Sequence, residues 1–156
     1  MKNMPRSEAT CRTTVYCMRK KIEMEEKIME SRYLYRGKRL DSGEWVEGLP
    51  SCDEDGEIGE IEVWNGEDIT FYPVDPSTIC QCTGLKDKNG KLIWENDMVK
   101  GSYFVNGKEH RLIGKVGYVG SAFKVVGVKQ YSGMHQELHS IYAIIGNIFD
   151  NPEQVE

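Results

Sequence analysis

The sequence predicts a mainly β fold, a small barrel with added hairpins, and two observations carry that prediction. Asn-Gly pairs stand at Asn65-Gly66, Asn89-Gly90 and Asn106-Gly107, each between strand-like segments. Both residue types tolerate the positive φ that tight hairpin turns require. The segments 115–119, 122–128 and 141–149 are rich in Val, Ile, Tyr and Phe, with glycines at Gly117, Gly120, Gly127 and Gly146. Strands this short, broken this often by glycine, suit a barrel that bends its strands sharply.

Along the chain, residues 1–31 read as an arm, helical or disordered, ahead of a β domain over 32–152. In the arm Val15, Met18, Ile22 and Met29 follow helical spacing, with Thr13 or Thr14 as N-cap. Glu23 and Lys27 form a favourable i,i+4 pair. Arg19, Lys20 and Lys21 near the start and Glu25, Glu26 and Glu30 near the end oppose the helix dipole, so the helix is marginal. Met24 and Met29 are alternative translation starts. In the β domain, a two-residue turn at Asn65-Gly66 would set Val63 opposite Asp68. A three-residue loop sets Val63 opposite Ile69 and Ile61 opposite Phe71, which gathers one apolar face, so the longer loop is expected. Residues 129–140 are polar, lack a strand pattern and are expected to hold a helical turn.

The chain has 156 residues, 39% hydrophobic and 29% charged, with a net charge of −5. No apolar stretch is long enough to span a bilayer, and residues 1–12 lack the apolar core of a secretory signal. Five cysteines without a regular framework suit reduced thiols in a cytosol. Membrane, secreted and collagen-like classes are therefore not expected. The charge is unevenly spread: residues 33–83 carry 3 basic and 12 acidic side chains, whereas residues 84–150 carry 9 basic and 6 acidic. An acidic half repels a nucleic-acid backbone, so any such contact is expected to use the basic half.

Patterns that carry chemistry are few. Cys80 and Cys82 are one residue apart, which is not zinc-ribbon spacing; on a strand they share a face with Thr78 and read as small packing residues. His135 and His139 could chelate from one face of a helix, but Gln136 stands where a metalloprotease needs Glu, and exposed loop histidines are the simpler reading. Counted from Asp87, an EF-hand needs Gly and Glu where Leu92 and Met98 stand, so Asp87-Lys88-Asn89-Gly90 is a turn. There is no nucleophile elbow or Walker loop, and no helix follows Gly117-Tyr118-Val119-Gly120 to cradle a phosphate. Glu60 and Glu62 share a strand face without the apolar surroundings that would raise a carboxyl pKa. What remains is Tyr103, Phe104, Tyr118, Phe123 and Tyr131, interleaved with Lys100, Lys108, Arg111, Lys115, Lys124 and Lys129. Alternation alone puts aromatics inward and lysines outward, yet single-strand-binding barrels combine the same two ingredients.

The order of motifs is distinctive. Tyr35-Arg36-Gly37-Lys38-Arg39, Gly43-Glu44-Trp45-Val46-Glu47-Gly48 and Val74-Asp75-Pro76-Ser77-Thr78-Ile79 come first. Gln81-Cys82-Thr83-Gly84-Leu85-Lys86-Asp87-Lys88-Asn89-Gly90-Lys91, Trp94-Glu95-Asn96-Asp97-Met98-Val99 and Ile145-Gly146-Asn147-Ile148-Phe149-Asp150-Asn151-Pro152 follow. Together they resemble the YopX family of phage and prophage proteins, from about Tyr33 to Pro152. Cys82 stands where the family usually has Tyr, and Asn96 where it usually has Gly. The second departure predicts that Asn96 takes a glycine-like conformation. The resemblance implies an SH3-like barrel acting in the cytoplasm of a bacterial host, and it brings no catalytic residue, cofactor or ligand.

The expected function is that of a non-enzymatic accessory protein, a module that binds protein or nucleic acid and needs no cofactor or metal. Lys100, Arg111, Lys115 and Lys124 are the candidate phosphate contacts. Two other readings stand beside it. The acidic half could mimic nucleic acid and occupy a basic host protein, or the carboxylates between Asp53 and Asp68 could hold a metal for hydrolysis. No membrane partner is expected. An incompletely closed barrel leaves an edge strand that can pair with a second copy.

Overall fold

In the computed structural model, which describes residues 31–155, the strands sort into two antiparallel sheets. The first sheet holds β1 (Tyr35–Lys38), β2 (Trp45–Cys52), β3 (Ile58–Trp64), β4 (Ile69–Pro73), β5 (Cys80–Lys86) and β6 (Leu92–Trp94), in the order β4-β3-β2-β1-β5-β6. The second holds β7 (Asp97–Val105), β8 (Lys108–Val119), β9 (Ala122–Gly127), β10 (His135–Glu137) and β11 (Ala143–Asn147), in the order β10-β9-β8-β7-β11. The expected arm over 1–31, with its helix and alternative starts, lies outside the described residues except for Ser31.

The mainly β expectation holds, but the ladders do not close into an SH3-like barrel. The first sheet curls enough for a single bridge, Arg39 to Val74, to bring the end of β4 back against β1. Gly37 permits that approach, since a Cβ there would meet the Val74 side chain at 3.0 Å. The second sheet is dominated by a long meander instead. β7 and β8 pair from Met98–Lys115 to Val105–Lys108, and strands of 9 and 12 residues extend the sheet rather than wrap it.

Turn chemistry explains the hairpins. Asn106 and Gly107 take φ of 50° and 76°, the two positive values that a two-residue turn between β7 and β8 needs. At Asn65-Gly66 the expected three-residue loop is not formed. Val63 faces Thr70 and Trp64 faces Ile69, one step further than expected. The cause is the Asn65 side chain, whose Oδ1 accepts from the N–H groups of Glu67 and Asp68 at 2.9 and 2.8 Å and widens the loop to Asn65–Asp68. Residues 129–140 do hold a 3-10 turn, Lys129–Tyr131, but also β10, which pairs with β9.

Two buried clusters hold the sheets. Ile93, Val99, Leu112, Val116, Val125, Leu138 and Tyr142 form the larger, and Cys80, Cys82 and Trp94 form the smaller. Each fully buried aliphatic or aromatic side chain contributes roughly 1.5–3 kcal/mol. Ile93 belongs to the first sheet yet packs among residues of the second. Tyr142 lies over Gly101, where any side chain would collide with its ring. Burial pushes the Cys80 and Cys82 thiols up from their ordinary pKa. Among the described cysteines, a thiol-alkylating reagent added to the native protein should therefore mark exposed Cys52 and spare Cys80 and Cys82 until unfolding, as peptide mass mapping would read.

The passage between the sheets is short and tied on several sides. The Glu95 N–H donates to the Gln81 carbonyl at 2.9 Å, and the Asn96 N–H donates to the Val116 carbonyl at 2.8 Å. The Asn96 carbonyl accepts from the Ile148 N–H at 3.1 Å. Asn96 has φ of 65°, the glycine-like conformation expected of it. A second tie comes from Asp87 in the β5–β6 turn, whose carboxylate accepts from the N–H groups of Asn89 and Lys91 and, at 3.2 Å, from that of Ile144 in β11. Burial acts upward on the Asp87 carboxyl, but these N–H groups outweigh it and hold it below the usual carboxylate range.

Candidate functional site

Alternation along β8 divides its side chains into two sets. Leu112, Gly114 and Val116 turn into the core and are buried. Arg111, Ile113, Lys115 and Gly117 therefore face the other way. Residues opposite one another in a ladder share a face, so the register extends this face across the sheet; on its β7–β11 side Met98, opposite Lys115, and Ala143, opposite Lys100, are buried. Lys100 of β7 stands opposite Ile113, and Lys124 of β9 stands opposite Gly117. Reading along β8 in two-residue steps, the levels of Arg111, Ile113, Lys115 and Gly117 each carry one cation: Arg111, Lys100, Lys115 and Lys124. Each step is about 7 Å along the strand.

All four candidate contacts thus come together on one face of the second sheet. Lys100 and Arg111 are exposed, and Lys115 and Lys124 are half-buried. None of the four makes a side-chain hydrogen bond or ion pair with another described residue. Two carboxylates share the face, Glu109 opposite Phe104 and Glu137 opposite Lys124. At one end the surface dips into a cleft of about 490 Å³ lined by Lys88, Lys100, Ser102, Glu109, Arg111 and Ile141. Lys88, which sequence reading did not single out, enters through the β5–β6 turn, where its N–H donates to the Tyr142 carbonyl at 2.9 Å.

The aromatic side chains divide between the core and the surface. Tyr103, Phe123 and Tyr131 pack against the larger core cluster. Phe104, 68% exposed, lies on the cationic face and is the aromatic surface available beside it. Tyr118 is also exposed, and its ring meets that of Phe123 edge to face.

The other patterns assemble no centre. His135 lies on β10 rather than on a helix, His139 pairs with Glu137 at 3.7 Å, and His110 stacks on Tyr103 with ring centroids 5.5 Å apart. Among the described residues no group of three His, Cys, Asp or Glu side chains could hold a metal ion. Asp87 anchors its turn, and Glu60 and Glu62 share a face of β3.

One charged pair went unnoticed in the sequence. Arg36 Nη2 of β1 donates to Asp97 Oδ1 of β7 at 2.5 Å, across the junction of the sheets. The guanidinium lies 4.5 Å from the Trp45 ring centroid and 5.3 Å from that of Trp94. Asp97 is 2% exposed, and its Oδ2 accepts from the Trp94 N–H at 2.8 Å. Burial pushes the Asp97 carboxyl above its ordinary pKa, with the Arg36 charge and the Trp94 N–H pulling the other way. Nearby, Asp150 takes hydrogen bonds from Lys38, Asn147 and Trp45. Partial burial works against them, yet together they bring Asp150 down to about 2. Arg36 and Asp97 fasten one sheet to the other, and Asp150 ties the first sheet to the segment after β11; the only local signal for the first pair is an arginine and an aspartate in strands that otherwise carry core residues.

No curated protein matches the sequence. Among solved structures, the crystal structure of protein EF1440 from Enterococcus faecalis is similar to this chain, with 21% identity and a TM-score of 0.46 over 78% of this chain and 96% of that one. The family model described as YopX protein matches residues 17–156. That span takes in both sheets, their junction and every motif from Tyr35 to Pro152, and the chain belongs to the YopX family.

Proposed function

We propose that this protein is a non-enzymatic binding module that takes a nucleic-acid backbone on the outer face of its second sheet, as an accessory protein of a phage or prophage in the cytoplasm of its bacterial host. The observation that carries the reading is the row of four cations, one at each two-residue step, none of them neutralised by another described side chain. An arginine and three lysines on one sheet face, none in an ion pair with another described side chain, suit a repeating phosphate charge, and exposed Phe104 offers a ring on which a base can stack. The acidic first sheet is excluded from such contact by its own charge.

The test is titration of labelled single- and double-stranded oligonucleotides across a salt series. Affinity is expected to fall steeply with salt. Alanine at Lys100, Arg111, Lys115 or Lys124 should each reduce the slope of log K against log salt, by about 0.7 on single strands and about 0.9 on duplex. An unchanged slope in the fourfold variant would overturn the assignment of this face.

A further inference from the structure

The β3–β4 hairpin presents a second surface with different chemistry. Trp64, Ile69 and Phe71 are 46%, 48% and 50% exposed. The register sets Trp64 beside Ile69, Glu62 beside Phe71 and Glu60 beside Pro73, so all of them share one face. From Asp53 to Asp68 the chain carries eight carboxylates and no lysine or arginine. Three large apolar side chains exposed together, at the end of so acidic a stretch, need more explanation than the scattered apolar residues of an ordinary surface.

The backbone of β4 supplies a further observation. Two hydrogen bonds bracket the ladder: Asn65 N–H to the Asp68 carbonyl at 3.1 Å, and Val74 N–H to the Gly59 carbonyl at 3.0 Å. Bonded and non-bonded pairs alternate in an antiparallel ladder. Thr70 and Tyr72 therefore spend their backbone groups on β3, whereas Ile69, Phe71 and Pro73 turn theirs outward. The outward edge already pairs with backbone at one end, since the Pro73 carbonyl accepts from the Leu40 N–H at 3.0 Å beside the Arg39–Val74 bridge. Beyond that bridge the N–H and carbonyl groups of Ile69 and Phe71 have no partner among the described residues.

We infer that this edge docks an extended segment of another protein, one with apolar side chains opposite Ile69 and Phe71 and basic residues at the flanking positions. The open backbone groups fix the extended conformation, because only a strand can satisfy them in sequence. The half-exposed Trp64, Ile69 and Phe71 provide the apolar contact. The charge selects the partner: Glu60, Glu62, Glu67 and Asp68 surround the edge, so a basic segment is attracted. A second copy of this chain would bring the same carboxylates against themselves, and a nucleic-acid backbone would be repelled. The inference does not rest on the nucleic-acid reading, which concerns the other sheet.

The experiment uses the full chain and a short acetylated, amidated peptide that alternates lysine with valine. Binding is expected to weaken with salt and to slow amide hydrogen exchange at Ile69 and Phe71, read residue by residue by NMR. Phe71→Ala removes a side chain that is half in solvent, and it should weaken binding by about tenfold. N-methylating the peptide backbone along its bonding edge, which leaves its charge and the protein untouched, should abolish the added protection. Equal binding by the methylated peptide would mean charge attraction alone and would overturn the inference. So would protection at amides outside β4, or slowed exchange at Ile69 and Phe71 on raising protein concentration without peptide, which would make a second copy the occupant.

Discussion

Replacing Asp97 by alanine is expected to cost about 3–5 kcal/mol of folding stability, because it leaves the Arg36 guanidinium without its carboxylate partner at the junction of the sheets. The same change strips the Trp94 N–H of its acceptor, adding a buried donor without a partner. Arg36→Met should behave differently. It leaves a carboxyl that burial already pushes above its ordinary pKa, and losing the guanidinium raises it further. A group whose folded pKa lies above its unfolded value stabilises the fold fully below the unfolded pKa, and that stability is lost as pH rises through the folded one. Relative to Asp97→Ala, Arg36→Met is therefore expected to gain stability in acid and to lose that advantage as pH rises through the folded pKa of Asp97. Urea denaturation of both variants across pH reads the difference, and parallel pH profiles would overturn this account of the pair.

The second large effect is expected at Tyr142, which is 1% exposed and packs in the larger core cluster. Tyr142→Ala empties the space over Gly101 and should cost about 3–5 kcal/mol, as other large-to-small aromatic changes in cores do. Gly101→Leu should cost at least about 1–3 kcal/mol by overpacking, since even a Cβ at that position collides with the ring. Combined, the two changes should cost clearly less than their sum, because the new side chain enters the vacated space. Thermal and denaturant unfolding of the two single variants and the double measure this directly. Additive losses would mean that the ring and the glycine are not complementary.

The relation between sequence and structure differs from element to element. Asn106-Gly107 was legible because a two-residue turn with two positive φ values is a local requirement that few residue pairs meet. Asn65-Gly66 carries the same letters, but there the asparagine spends its side chain on two N–H groups and the register moves one step. β10 had no apolar signature, because His135, Gln136 and Glu137 join the sheet through their backbone. The barrel expectation failed for a related reason. Alternation tells which face of a strand is buried, while closure depends on which edges meet, and edges are made of backbone that every residue shares. The four cations were legible as candidates from charge and spacing, yet their common face required the register of three strands. The Arg36–Asp97 pairing was not legible, since its members are 61 residues apart and the charge in each strand does not name its partner.

The tied passage at Glu95 and Asn96 has a mechanical consequence. A hinge needs residues whose φ and ψ can swing without breaking anything, but here the backbone bonds of two adjacent residues reach β5, β8 and the segment after β11 at once. Bending at this point would break bonds on both sides together, so the joint works as a weld. β5 and β8, the strands these bonds reach, are therefore expected to hold one angle to each other, and two molecules taken up on the two sheets would be presented to one another in a single orientation, as parts are in a jig.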